Sequence, residues 1–142
     1  MTQESRQTNA VTVTGVAEFN PLAIAAGVMI TIVAALHVYF LVLEMFLWRT
    51  PIGLRTFRMT KEAADSSAVL AANQGLYNGF LAAGLLWGLV AYGIVGGRPI
   101  LTFFLLCVGV AGVYGAATVS RRIFFVQAVP AAVALVLVWL SR

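Results

Sequence analysis

From Pro21 to Leu140 the chain is written almost entirely in apolar residues, broken in three places by short polar or basic punctuation. The first apolar run, Pro21 to Trp48, holds two ionisable side chains, His37 and Glu44; a second runs from Ala68 to Val95, a third from Ile100 to Val119 and a fourth from Ile123 to Leu140. A spanning helix needs about 20 apolar residues, so each run predicts one membrane crossing. Pro21 suits the first turn of a helix. Pro51 disfavours a helical Thr50 and Gly53 permits a turn, so the first helix is expected to end there. Gly96-Gly97-Arg98-Pro99 and Ser120-Arg121-Arg122 are too short to do anything but reverse the chain, which makes consecutive helices antiparallel neighbours.

The expectation is an all-α integral membrane protein, a four-transmembrane-helix antiparallel bundle forming one domain over 21–142. Its helices lie near 21–48, 68–95, 100–119 and 123–140. Residues 1–20, rich in Ser, Thr, Asn and Gln, read as a disordered polar tail. Within the basic loop 49–67, Arg55, Arg58 and Lys61 interleave with Leu54, Phe57 and Met59, the pattern of a short interfacial helix.

Composition excludes more than it adds. Of 142 residues, 61% are hydrophobic and 10% charged, against about 25% charged in soluble domains, so soluble enzyme folds are out. The net charge of +4 comes from residues at the ends of the apolar runs, not from one basic face, so nucleic acid is not an expected partner. Six basic residues (Arg49, Arg55, Arg58, Lys61, Arg121, Arg122) fall on the side of the first and third connections and three (Arg6, Arg98, Arg142) on the other. The positive-inside rule then puts both termini outside and loops 49–67 and 120–122 in the cytoplasm. Trp48 and Trp139 sit at opposite boundaries, as interfacial anchors do. The single cysteine, Cys107, can form no intramolecular disulfide.

Small residues recur at helical spacing, as Gly75, Gly79 and Ala83 on one stripe, Gly84 and Gly88 on another, and Gly109, Gly112 and Gly115 on the third span. Such stripes let helix backbones approach closely in lipid and leave a homo-oligomer open. Chemistry must come from the rare polar residues. His37 and Glu44 are two turns apart and share a face, and ionisable groups inside spans turn toward the bundle interior. Glu44 lies near enough to the helix end to pair instead with Arg49, Arg55 or Arg121, whereas His37 is too deep to reach water. Gln74, Tyr77 and Asn78 share a face of the second helix with Asn73 on its flank. Gln127, Tyr114 and Thr118 stand at comparable depth and complete a candidate polar pocket. Pro130 frees the carbonyl of Val126 and predicts a kink. No phosphate loop, zinc ligand set or activated Ser or Cys nucleophile is present. One histidine is weak grounds for an axial haem ligand, so the cofactor stays unknown.

The runs HVYFLVLEMFLW (His37 to Trp48), AANQGLYNGFLAAGLLWGL (Ala71 to Leu89) and AGVYGAATVSRRIFFVQAVPAAVAL (Ala111 to Leu135) closely resemble the family of domain of unknown function 1304. Its polar elements are matched here as His37, Glu44, Asn73, Gln74, Tyr77, Asn78 and Gln127. The resemblance implies a small bacterial inner-membrane protein of four spans and names no activity. Three readings follow from the residues. One is a protein binding a small apolar or lipid-like ligand, an enzyme included, with His37 and Glu44 as the reactive pair. A second is a small transporter or proton-coupled ion pathway built as an oligomer. The third is a non-catalytic interaction module in the bilayer.

Overall fold

A computed structural model describes residues 20–141, so the expected polar tail falls almost wholly outside the described residues. Helix α1 spans Pro21–Met45. The Asn20 side chain accepts from the Ala23 amide at 3.1 Å, and Pro21, which has no amide proton to leave unpaired, fills the first turn. The helix ends at Met45, short of Trp48, because the Leu47 amide is shared between the Val42 and Leu43 carbonyls and Thr50 closes a turn on Leu47. Thr50 then caps α2 (Pro51–Phe57), which ends at Arg58 in the left-handed region with φ 53. A short helix is therefore present in this loop but is shifted toward the N-terminus: it ends at Phe57, so Met59 and Lys61 of the expected amphipathic pattern lie beyond it.

Helix α3 runs Lys61–Gly96 and begins where the Thr60 hydroxyl accepts from the Ala63 amide. It starts well before Ala68. Hydropathy marks where lipid begins, whereas Lys61 to Ser67 contains no helix breaker and so continues the same helix into water. Near its other end Gly93 takes φ 66 and ψ −171, a conformation open essentially to glycine alone. The chain bends back there until Gly97 packs on the Gly88 carbonyl, with no room for a Cβ. Helix α4 follows as Arg98–Thr118. Helix α5, Arg121–Leu140, opens with one α-turn, passes through a π-turn at Phe124–Ala128 and continues as α-helix from Val129. The amide of Pro130 has no proton to give, and the wider turn just before it is the form the expected kink takes.

Four of these helices are long and apolar enough to cross a membrane: α1, α3, α4 and α5. They pack as a closed ring, α1 on α3, α3 on α4, α4 on α5 and α5 on α1, each neighbour antiparallel to the last. The core holds Ile30 and Val33 of α1, Leu85 of α3, Leu105 of α4 and Val138 of α5, all at most 1% exposed. The outside is as apolar as the inside, with Val69, Val90 and Val110 more than two-thirds exposed, a surface suited to lipid. At one end Trp48 stacks on Phe57 at 4.5 Å and donates to Ser67 Oγ at 3.1 Å, tying α2 across α1 and α3. At the other, Arg98 lies over the Trp139 ring and donates to the Ser141 carbonyl, while Trp139 donates to Thr102 at 3.2 Å. Both boundary tryptophans thus join neighbouring helices.

Glycines set the spacing unequally. A Cβ at Gly112 would stand 2.7 Å from the Ala128 amide nitrogen, in the backbone of α5, whereas one at Gly109 would meet nothing within 4 Å. Gly112→Ala should force α4 from α5 and destabilise by about 1–3 kcal/mol, while Gly109→Ala should be neutral or slightly stabilising. Thermal unfolding in detergent reads the difference, and equal effects would contradict this packing.

Candidate functional site

Residues of α1 facing α3 recur as Ala26, Ile30, Val33 and His37, and those of α3 facing α1 as Ala71, Gly75, Asn78, Ala82 and Leu85, alternating steps of four and three. That is a heptad seam. His37 extends the α1 pattern by one heptad to Glu44, so both ionisable residues occupy seam positions, as their two-turn spacing predicted.

Close approach makes the seam tight. At Gly75 an added Cβ would meet Met45 Cγ at 2.7 Å and both Glu44 Cβ and the Leu41 carbonyl at 3.1 Å; at Gly79 it would meet Leu41 Cδ1 at 2.6 Å. With α3 drawn this near, Asn78 Nδ2 reaches Glu44 Oε2 at 2.7 Å and also donates to its own helix at the Gln74 carbonyl, 3.3 Å away. Asn78 is 6% exposed, so this bond across two helices is shielded inside the bundle. Glu44 is therefore held by an amide, and the arginine pairing open to it from sequence is not made. Arg49 lies instead 4.0 Å from Asp65, in an exposed pair of little energetic weight.

One heptad deeper, His37 is 1% exposed. Its Nδ1 lies 2.8 Å from the Val33 carbonyl, which can only accept, so Nδ1 carries the proton. In the neutral ring Nε2 is then an acceptor, and it is buried without a hydrogen-bond partner among the described residues. The seam positions of α3 above Asn78 are Ala82 and Leu85, which have no polar side-chain atom to offer. Phe40 gives the ring an edge contact at 5.9 Å. No bond joins His37 to Glu44, which lie about 10 Å apart along the helix axis.

The remaining polar residues do not gather on this pair. Asn73, Gln74 and Tyr77 are exposed on the outer side of α3. Thr118 donates to the Tyr114 carbonyl of its own helix at 2.8 Å, and both are exposed. Gln127 is half-buried in the π-turn of α5. Tyr114 instead borders a concavity of about 670 Å³ between α4 and α5, lined otherwise by apolar residues such as Val113 and Ala132. That concavity was not foreseen; its sequence signals are Gly109, where no side chain fills the gap, and Pro130, which sets the π-turn. No cluster of three or more metal-ligating side chains occurs among the described residues.

A double-mutant cycle on Glu44→Ala and Asn78→Ala, read by reversible unfolding in mixed micelles, should return a coupling of about 0.6–2 kcal/mol. Strict additivity would mean that the two side chains do not act together.

Comparison with known proteins agrees with the resemblance drawn from the three quoted runs. A model of the family described as "Protein of unknown function (DUF1304)" matches residues 31–139, which include every polar residue of the seam. "Uncharacterized protein YpaA" of Lactococcus lactis is 28% identical over 117 residues, covering 81% of this chain and 97% of that protein. No solved structure matches. With its family model extending across all four long helices, the chain belongs to the DUF1304 family of proteins of unknown function.

Proposed function

We propose that this multi-pass protein binds a small molecule within the bilayer, along the α1–α3 seam, through a polar group that donates to His37 Nε2. Glu44, steadied by Asn78, is the second polar contact. The observation that carries the reading is the buried, unpartnered Nε2 of His37. An acceptor left bare in an apolar interior costs about 1–3 kcal/mol, a cost that a bond from a ligand would remove. The proposal includes the setting expected from the charges: a bacterial inner membrane with both termini outside and loops 49–67 and 120–122 cytoplasmic. The gathering of Arg49, Arg55, Arg58, Lys61, Arg121 and Arg122 around α2 and the start of α5, at one end of the bundle, supports it.

A second reading uses the same two groups as a proton pathway, favoured by their position on one seam of one helix. Proton flux in proteoliposomes that is lost in Glu44→Gln would select it over simple binding.

Stability and function should part company at His37. His37→Leu removes the bare acceptor, so the variant should unfold at an equal or higher temperature than wild type. Mass spectra of the gently extracted protein should show a retained small molecule on wild type that is missing from His37→Leu and Glu44→Gln. A markedly destabilised His37→Leu, or an identical mass profile for all three proteins, would return His37 to a structural role.

A further inference from the structure

The concavity between α4 and α5 lies on another face from the His37 seam and has a different chemistry. On α4 it runs from Leu105 past Gly109 to Ala117, and on α5 from Leu135 past Ala128 to Phe124. Leu105 to Ala117 is about 18 Å of helix, close to the roughly 15 Å depth of one leaflet's hydrocarbon. Its volume, about 670 Å³, falls within the 300–1,000 Å³ usual for ligand sites. Elsewhere the lipid-facing surface carries protruding side chains such as Val69 and Val90; here Gly109 leaves a hollow.

The ends of this groove differ. Its inner end, at Leu105 and Leu135, lies among apolar residues. The other ends at Phe124, and Arg121 and Arg122 precede it within one helical turn, at the α4–α5 connection. Arg121 and Arg122 are both exposed, and neither side chain makes an ion pair or hydrogen bond with the described residues. A slot as deep as one leaflet, with two exposed arginines within one helical turn of its last lining residue, Phe124, matches one kind of occupant.

We infer that the α4–α5 groove seats one acyl chain of an anionic phospholipid, with Arg121, assisted by Arg122, holding its phosphate. Arginine suits this role because its planar fork binds phosphate oxygens in pairs. The groove selects for an acyl chain and the arginines for an anionic headgroup, so the site discriminates between lipids in a way that a merely greasy surface does not.

The test is native mass spectrometry of the full-length protein, delipidated in micelles and titrated with dioleoylphosphatidylglycerol or dioleoylphosphatidylcholine. Wild type should retain one phosphatidylglycerol at least fivefold more often than phosphatidylcholine. Gly109→Leu, which fills the hollow without meeting the backbone, and the Arg121→Gln/Arg122→Gln pair should each lower that retention at least fivefold. Arg55→Gln/Arg58→Gln, which removes the same charge from α2, should not change it. Circular dichroism and elution volume check that each variant folds, and the arginine pair tests the site independently of the groove variant. Equal retention of the two lipids, no retention by wild type, or equal losses from the α2 and α5 arginine pairs would overturn the proposal.

Discussion

The rest of the bundle depends on how closely α1 and α3 approach. In lipid no hydrophobic force pulls two apolar helices together, so their contact must come from packing and from whatever polar bonds the packing permits. Gly75 and Gly79 remove the side chains that would hold α3 away, and only because they do so can Asn78 reach Glu44. The bond in turn fixes register. A one-turn slip would keep small residues against small residues, but it would leave an amide and a carboxyl group unpaired in an apolar interior. Once these two helices are set, Gly93 and Gly97 fold α4 back beside α3, and Gly112 lets α5 close the ring.

That seam carries a cost which its packing does not explain. A buried polar group left without a partner costs about 1–3 kcal/mol, whereas a cross-helix hydrogen bond returns about 0.6–2 kcal/mol. Leucine at positions 37 and 44 would pack the same seam with no polar group to satisfy. Glu44 and His37 are thus residues that stability alone would not select, and the bare Nε2 of His37 makes the imbalance plainest. Such departures from an otherwise consistent apolar pattern are where function is to be sought.

The sequence was most legible where one physical rule dominates. Span number and antiparallel order followed from apolar run length and short connections, and His37 and Glu44 were assigned to one inward face by spacing alone. Helix ends were less legible. Lys61 to Ser67 is polar yet helical, because hydropathy reports the solvent around a helix and not its backbone; α1 stops at Met45 for local hydrogen-bonding reasons invisible to an apolar count. The expected polar pocket is not formed, and of its members only Glu44 and Asn78 are brought together. Depth along each helix was read correctly for Asn78, but rotation about the axis decides which amides turn inward, and Asn73, Gln74 and Tyr77 lie on the outer arc of α3. The α4–α5 concavity arises from the combination of Gly109 with the π-turn ahead of Pro130, and neither residue announces it alone.

The protonation state of one imidazole is decisive, and the chain has a single histidine, so its signal is unambiguous. Nitrogen-15 NMR of ring-labelled protein in lipid bilayers distinguishes a protonated ring nitrogen from a bare one. The expected spectrum is that of the tautomer with the proton on Nδ1, bonded to the Val33 carbonyl, and Nε2 bare, with Nε2 alone shifting when a ligand is bound. A proton on Nε2 in the unliganded protein, whether as the other tautomer or as the imidazolium, would contradict it.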